Sequence, residues 1–258
     1  MRKIIVTGSE GFIGKQLVKR LEAQGDEVIR VDRRSKVGAI SVKDFFDTVP
    51  DLSDADMVYH LAAQTSVFNT MHSLIVRDNI EAFMSVCDAC QRTGVKLVYA
   101  SSSTANHCNT TSLYGISKRF DEEYARCYCP NATGVRLHNV YGADPRQGTL
   151  LWTLVNSDSV TLYNNGENTR HFTYIDDAVS GLIEASTRSE QLVNVANPQL
   201  MSTNDFSRIV ALYKPLEIIL DNSKRQRDNL EQSLDRSYYC INLPYKSVED
   251  GIATIFKQ

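Results

Sequence analysis

Apolar and amphipathic stretches alternate through the first half of the chain, the pattern of a parallel sheet flanked by helices. KIIVT at residues 3–7 reads as a buried strand, 12–24 as a helix and EVIRV at 27–31 as the next strand. A weak strand near 38–42, a short helix over 43–49 and a strong strand at 57–61 (MVYHL) follow. The periodicity then predicts a helix over 74–93 that stops at Gly94, whose missing side chain suits a helix end. KLVYA at 96–100, a helix over 112–128 ending before Pro130, and a strand at 134–140 (GVRLHNV) complete this half.

After Tyr141 the regularity weakens. Pro and Gly turns, a short helix over 149–156 and NNGEN at 164–168 predict an irregular smaller lobe. FTYI at 172–175, a helix from Asp176 and LVNVAN at 192–197 read as a return to the sheet, and the chain from about 200 as helical and polar. Asp176 and Asp177 are placed to cap that helix and complement its dipole.

Composition narrows the classes. A chain of 258 residues can bury roughly 70–75% of its unfolded surface, so a core needs no staples. Its 42% apolar and 23% charged residues are those of an ordinary globular protein, and a net charge of −3 offers nothing to nucleic acid or an anionic membrane. The apolar run in MRKIIVTGSEGFIG is broken by Gly and Glu too early for a signal peptide, and no run approaches the ~18 residues of a membrane span. A cytoplasmic chain with reduced thiols is expected. Cys87 with Cys90, and Cys127 with Cys129, lack the second pair that a metal site requires, so no metal is expected.

TGSEGFIG spaces Gly8, Gly11 and Gly14 between the first strand and the first helix. Glycines there permit a tight turn and a close approach to pyrophosphate, which the helix N-terminus stabilises with free N–H groups. Asp32 ends the second strand 18 residues after Gly14, the place of an acid that binds ribose hydroxyls. These features predict a dinucleotide-binding, Rossmann-type doubly wound α/β sheet over 1–141, rejoined by 171–198, with an interleaved and mainly substrate-binding lobe over 142–258. Asp32 favours NAD, whereas Arg33 and Arg34 directly after it leave NADP open.

HLAAQ at 60–64, Asn79, VYASSS at 98–103, YGISK at 114–118, RLHNVYG at 136–142, NGENTRHFTYIDD at 165–177 and NVANP at 194–198 follow TGSEGFIG in order. In that order they make the sequence resemble the extended short-chain dehydrogenase/reductase family, particularly its nucleotide-sugar epimerases, dehydratases and reductases. The resemblance implies a cofactor site of Gly8, Gly11, Phe12, Ile13, Gly14, Asp32, Arg33, Leu61, Ala62, Ala63, Asn79, Tyr114 and Lys118. It implies Tyr114 as the acid or base at a sugar hydroxyl, and Asn139, Tyr163, Arg170 and, by a looser alignment, Arg225 or Arg227 at the nucleotide diphosphate and base. A homodimer through the helices of 74–93 and 112–128 is likewise implied.

The chain also departs from the family. Ser103 and Thr104 stand where a dehydratase carries an Asp-Glu pair, which argues against 4,6-dehydration, and His171 replaces the usual acid after the arginine. Ser102 and Tyr114 are only 12 residues apart, about half the usual separation, which predicts a trimmed and more open sugar site.

Tyr114 and Lys118, at i and i+4, share a helix face. Bringing a tyrosine from its pKa of ~10 to near neutrality takes about 4 kcal/mol. An ammonium ~4 Å away at an effective dielectric of ~20 supplies about that much. Ser102, or Ser103, would steady the same oxygen. His60 reads as a packed, hydrogen-bonded histidine, and His107 as a loop residue near the site. The expectation is an NAD-dependent C4 epimerase of a nucleotide-diphosphate sugar. The alternatives are an NAD(P)H-dependent 4-keto-sugar reductase and, against the intact Tyr114 and Lys118, a dinucleotide-binding regulatory protein.

Overall fold

The computed structural model describes residues 1–34, 39–48, 51–65, 71–224 and 231–257. Strands β1 (Lys3–Thr7), β2 (Glu27–Val31), β3 (Met57–His60), β4 (Lys96–Ser102) and β5 (Ala132–Leu137) alternate with helices. These are α1 (Phe12–Ala23), α2 (Val42–Thr48), α3 (His72–Ile75), which runs through a π-helical segment at Val76–Glu81 into α4 (Ala82–Thr93), and α5 (Leu113–Tyr128). Beyond them lie β6 (Val140–Tyr141), α6 (Leu150–Asn156), β7 (Ser159–Tyr163), β8 (Thr169–His171), β9 (Thr173–Tyr174), α7 (Ile175–Ala185) and β10 (Leu192–Val195). The chain closes with β11 (Leu200–Ser202), α8 (Thr203–Ala211), β12 (Glu217–Asp221), β13 (Tyr239–Cys240) and α9 (Val248–Phe256).

Seven strands form one parallel sheet in the order β13-β10-β5-β4-β3-β1-β2. Successive side chains along a strand point to opposite faces, so β1 sends Ile4 and Val6 to one side and Ile5 to the other. The first side packs on α1 and α7 through Leu17, Leu21, Val179 and Leu182. The second packs on α2, α4 and α5 through Phe46, Phe83, Val86 and Ala125. Both faces are therefore covered, which is why the strands are apolar throughout rather than alternating. β2 and β3 leave β1 in opposite directions, so a crevice opens at the carboxyl ends of the strands, where ligands of such sheets bind.

A third core, with Tyr141, Leu154, Phe172 and Phe206 among its residues, builds the smaller lobe. The seven-stranded sheet takes in β10 and also β13, from the stretch read as lobe. Gly94 ends α4 in the left-handed conformation at φ 73°.

Five expectations change. FTYI at 172–175 does not return to the main sheet, since Thr173–Tyr174 pairs with β6 in a separate two-stranded sheet, whereas Leu192–Val195 does return as β10. No strand forms at 39–42, because the chain enters α2 at Val42, and residue 38 lies outside the described residues. The strand read at 134–140 ends at Leu137, because Asn139 takes φ 33° and turns Val140–Tyr141 into a separate pairing with β9. The C-terminal region is not only helical, since β11, β12 and β13 lie in it. Asp176 and Asp177 sit in the first turn of α7 without capping it; the N-cap is Tyr174, and Asp177 accepts a hydrogen bond from the Lys246 N–H at 2.9 Å. Among the described residues no helix is long and apolar enough to cross a membrane.

Candidate active site

The glycine turn is shaped by contact. Gly8 leaves β1 at φ 68°, and a Cβ there would lie 2.7 Å from the Ala62 nitrogen; one on Gly14 would lie 2.0 Å from the Gly8 oxygen. Only glycine fits either place. α1 then begins with Gly11 as an N-cap that offers no side-chain oxygen, so its first N–H groups are left for a ligand. Asp32 is 5% exposed beside this turn. It accepts from the N–H groups of Glu10 (3.1 Å) and Arg34 (2.8 Å) and from Arg34 Nε (3.3 Å). Burial pushes the Asp32 carboxyl up, but these donors outweigh it and hold the group below the usual carboxylate range. A carboxylate fixed beside a glycine cradle and an uncapped helix fits the diphosphate and ribose of a dinucleotide.

Leu61, Ala62 and Ala63 run past this turn, fixed where Ala62 N–H donates to Thr7 Oγ1 at 3.3 Å. Asn79 does not reach the cavity wall. It is fully buried and clamps Gln64 from behind, accepting from its N–H at 2.8 Å and donating to its carbonyl and to Ser117 Oγ at 3.0 Å each. Its geometry serves the shape of the 61–64 segment. His60 shares a hydrogen bond with Thr7 at 2.8 Å and packs on Phe83; burial, then the Lys118 charge, lower its pKa to about 3.

β4 delivers Ser102, with Ser103 just past its end, to the crevice and α5 delivers Tyr114 and Lys118. The short connection between them folds as two 3-10 turns, Ser103–Ala105 and His107–Asn109, with Asn109 donating to the Ser103 carbonyl at 3.0 Å. A Cβ on Gly115 would stand 2.7 Å from the Thr104 carbonyl, so α5 starts hard against the serine turn. Ser112 caps α5 through the Gly115 N–H at 3.3 Å. Farther along, Glu122 takes Arg136 of β5 in a two-pronged pair at 2.8 and 2.7 Å, which fixes the helix to the sheet. Lys118, 3% exposed, donates to Asp121 at 3.1 Å.

The trimmed loop does not leave its flank open. Residues 231–235 pack beside it: Ser233 exchanges hydrogen bonds with Asn109 at 2.9 and 3.1 Å. Gln232 accepts from Ser103 Oγ at 3.1 Å and also from Asn139 Nδ2. Sequence reading missed Gln232, since a Gln in a polar stretch carries no signal. It also missed Arg146, in the loop after β6, which donates to Thr65 and lines the same cavity as Tyr114.

A cavity of about 1240 Å³ joins these parts. Its wall takes in Gly8, Gly11, Phe12, Ile13, Gly14, Asp32 and Arg33 at one end and Ser102, Ser103, Tyr114 and Lys118 in the middle. Asn139, Tyr163 and Arg170 stand on the lobe side. Arg170 is buried, with Nη1 donating to the Thr169 carbonyl at 2.7 Å. Arg225 and Arg227 lie outside the described residues. His107 is exposed and off the wall, and His171 is held by the Asn197 carbonyl at 2.8 Å. Cys87, Cys90 and Cys129 are buried thiols, and among the described residues no group of three or more His, Cys, Asp or Glu could hold a metal.

The NAD dependent epimerase/dehydratase family model matches residues 4–196. Protein CapI of Staphylococcus aureus is 30% identical over 70% of this chain and 68% of its own length. UDP-glucuronate 4-epimerase 4 of Arabidopsis thaliana is 28% identical over 73% of this chain and 54% of its own, so the chain spans little more than half of that relative. Among solved structures, an NAD-dependent NDP-hexosamine 5,6-dehydratase of tunicamycin biosynthesis superimposes with a TM-score of 0.82 at 26% identity, covering 100% of this chain and 97% of that one.

Proposed function

Because this chain belongs to the NAD dependent epimerase/dehydratase family, with NAD as its cofactor, we propose that it epimerises a nucleotide-diphosphate sugar at C4 through a 4-keto intermediate. The observation that carries this reading is the single cavity shared by the Gly8–Gly14 cradle, Tyr114 with Lys118, and Arg170 with Asn139. Gly8, Gly11, Gly14, Asp32 and the free N–H groups of α1 hold the dinucleotide. NAD supplies a reversible hydride acceptor when bound. Tyr114 takes the proton of the sugar 4-hydroxyl and returns one to the oxygen after the sugar has presented its other face. Ser102, its own hydroxyl steadied by Thr104 at 2.9 Å, hydrogen-bonds that oxygen as charge develops on it. Lys118 supplies the positive field behind Tyr114, and Arg170 and Asn139 receive the diphosphate.

Arg146 supports a carboxylated sugar as the substrate class. Arg146 lines the cavity that holds Tyr114, where a uronic carboxylate would find a charge partner. The name of the plant relative, a UDP-glucuronate 4-epimerase, points the same way.

The test is a thermal-shift panel of UDP-, dTDP-, GDP- and CDP-sugars with NAD and NADP, followed by product analysis of the best binder. We expect NAD that co-purifies and survives dialysis, and interconversion of UDP-glucuronate with its C4 epimer. A reduced product with stoichiometric consumption of exchangeable NAD(P)H would establish the reductase instead, and an unsaturated product a dehydratase.

A further inference from the structure

Asp78 lies in the π-helical segment, next to the residue that clamps Gln64, and it gathers three donors. Its Oδ2 accepts from Arg33 Nη1 at 2.8 Å and Gln64 Nε2 at 2.7 Å, and its Oδ1 accepts from Arg77 Nε at 2.8 Å. Arg33 follows β2 and Gln64 follows β3, so one carboxylate spans the two chain segments on either side of the glycine turn. All of these residues line the cofactor end of the cavity.

NADP differs from NAD by a phosphate, carrying up to two negative charges, on the ribose oxygen that an acid after the second strand otherwise binds. Among the cations on the cavity wall, Arg77 and Lys43 pair with Asp78 and Asp47, and Arg33 and Arg34 directly follow the acid after β2. Each is engaged: Arg34 bonds Asp32 and Arg33 bonds Asp78. We infer that Asp78 is a specificity-determining residue of the cofactor site, excluding NADP by holding Arg33 away from the ribose phosphate position and by setting a second carboxylate beside that position. The inference rests on NAD as the dinucleotide bound at the glycine turn. Asp78 is ionised in this place: burial pushes its carboxyl up, but Arg77, Gln64 and Arg33 outweigh burial and hold it below the usual range. The contact is also legible as a device rather than as a fold staple. Arg33 is 53% exposed, so the ion pair adds little stability, whereas a repelled phosphate would feel both the missing cation and the added anion.

The experiment is fluorescence titration of NADH and NADPH, with no sugar present, into the wild-type protein, Asp78→Asn and the Asp78→Asn, Arg33→Ala double variant. The Asn oxygen can still accept from Gln64, and Asp78→Ala removes the same charge through a smaller side chain should the first variant fold poorly. We expect the wild type to prefer NADH. Removal of Asp78 should tighten NADPH about tenfold while NADH changes less than about threefold. The gain should be smaller in the double variant, where only the loss of the carboxylate acts, and should shrink at high ionic strength. An unchanged NADPH Kd in either folded single variant, or a gain undiminished by loss of Arg33, would overturn the assignment. A wild-type protein that binds neither dinucleotide would overturn the cofactor site itself and this inference with it.

Discussion

The ammonium of Lys118 stands 3.1 Å from the carboxylate of Asp121, with 3% and 0% of the two side chains exposed. Burial drives the Asp121 carboxyl up to about 7 against the opposing pull of Lys118. Asp121 Oδ1 has no hydrogen-bond partner among the described residues. The cation that the YxxxK spacing presents as a free charge behind Tyr114 is therefore one half of a pair.

Removing one partner of a buried pair leaves the other uncompensated. We expect Asp121→Ala to lower the unfolding free energy by about 3 kcal/mol in urea denaturation at pH 7. A loss below about 0.5 kcal/mol would mean that solvent in the cavity already satisfies Lys118.

Tyr114→Phe should reduce turnover at least about a thousandfold, the scale of losing a positioned acid-base group. NADH affinity should change less than about twofold, since the diphosphate and ribose are expected at Gly8, Gly11, Gly14 and Asp32 and the variant keeps the aromatic ring at position 114. Steady-state assay and fluorescence titration on the same preparation separate the two effects. Comparable activity in the variant would remove Tyr114 from the mechanism.

Arg170→Ala should raise the Kd for the nucleotide sugar about tenfold or more, in line with a charged hydrogen bond to diphosphate worth roughly 1.5–3 kcal/mol. Isothermal titration with the NAD-loaded protein measures it. An unaltered Kd would show that Arg170 serves the lobe and not the ligand.

Acid should destabilise the fold. His60 and His138 have pKa values lowered from 6.5 to about 3, chiefly by burial. Between those values the unfolded chain binds more protons than the folded one, so stability is lost as pH falls through the window. Asp121, raised from 3.8 to about 7, works in the opposite sense, because its folded form holds the proton to higher pH. Two imidazoles outweigh one carboxyl. Melting temperature should fall between pH 6.5 and 4.5, and His60→Asn should flatten the slope. A melting curve that ignores pH there would mean these imidazoles are charged in the folded state.

We propose that α5 pairs with its copy in a homodimer. Ile116, Phe120, Tyr124 and Tyr128 recur every four residues along it, with Phe120 stacked on Tyr124 and Ile116 and Tyr128 48% and 61% exposed. Such a stripe costs free energy in water and gains it against a second copy. Sedimentation at micromolar concentration should show a dimer, and Tyr128→Asp should weaken it about tenfold or more. A wild-type monomer would refute the pairing.

Local patterns made much of this molecule legible. Side-chain period separates the strands of the sheet from its helices, and glycine stereochemistry marks the turn after β1. A four-residue spacing puts Tyr114 and Lys118 on one face. Each depends on neighbours within a few residues, so the amino-acid order alone determines it. Tertiary structure decided what those groups meet. Gln232 reaches Ser103 across 129 residues and closes the flank that the short loop predicts to be open. Asp78 reaches Arg33 across 45 residues, and Asn79 turns out to support the wall rather than form it. Charge and hydrogen bonding act over a few ångströms of space. The sequence states which donors and acceptors exist, and only the closure of long loops brings one within reach of another.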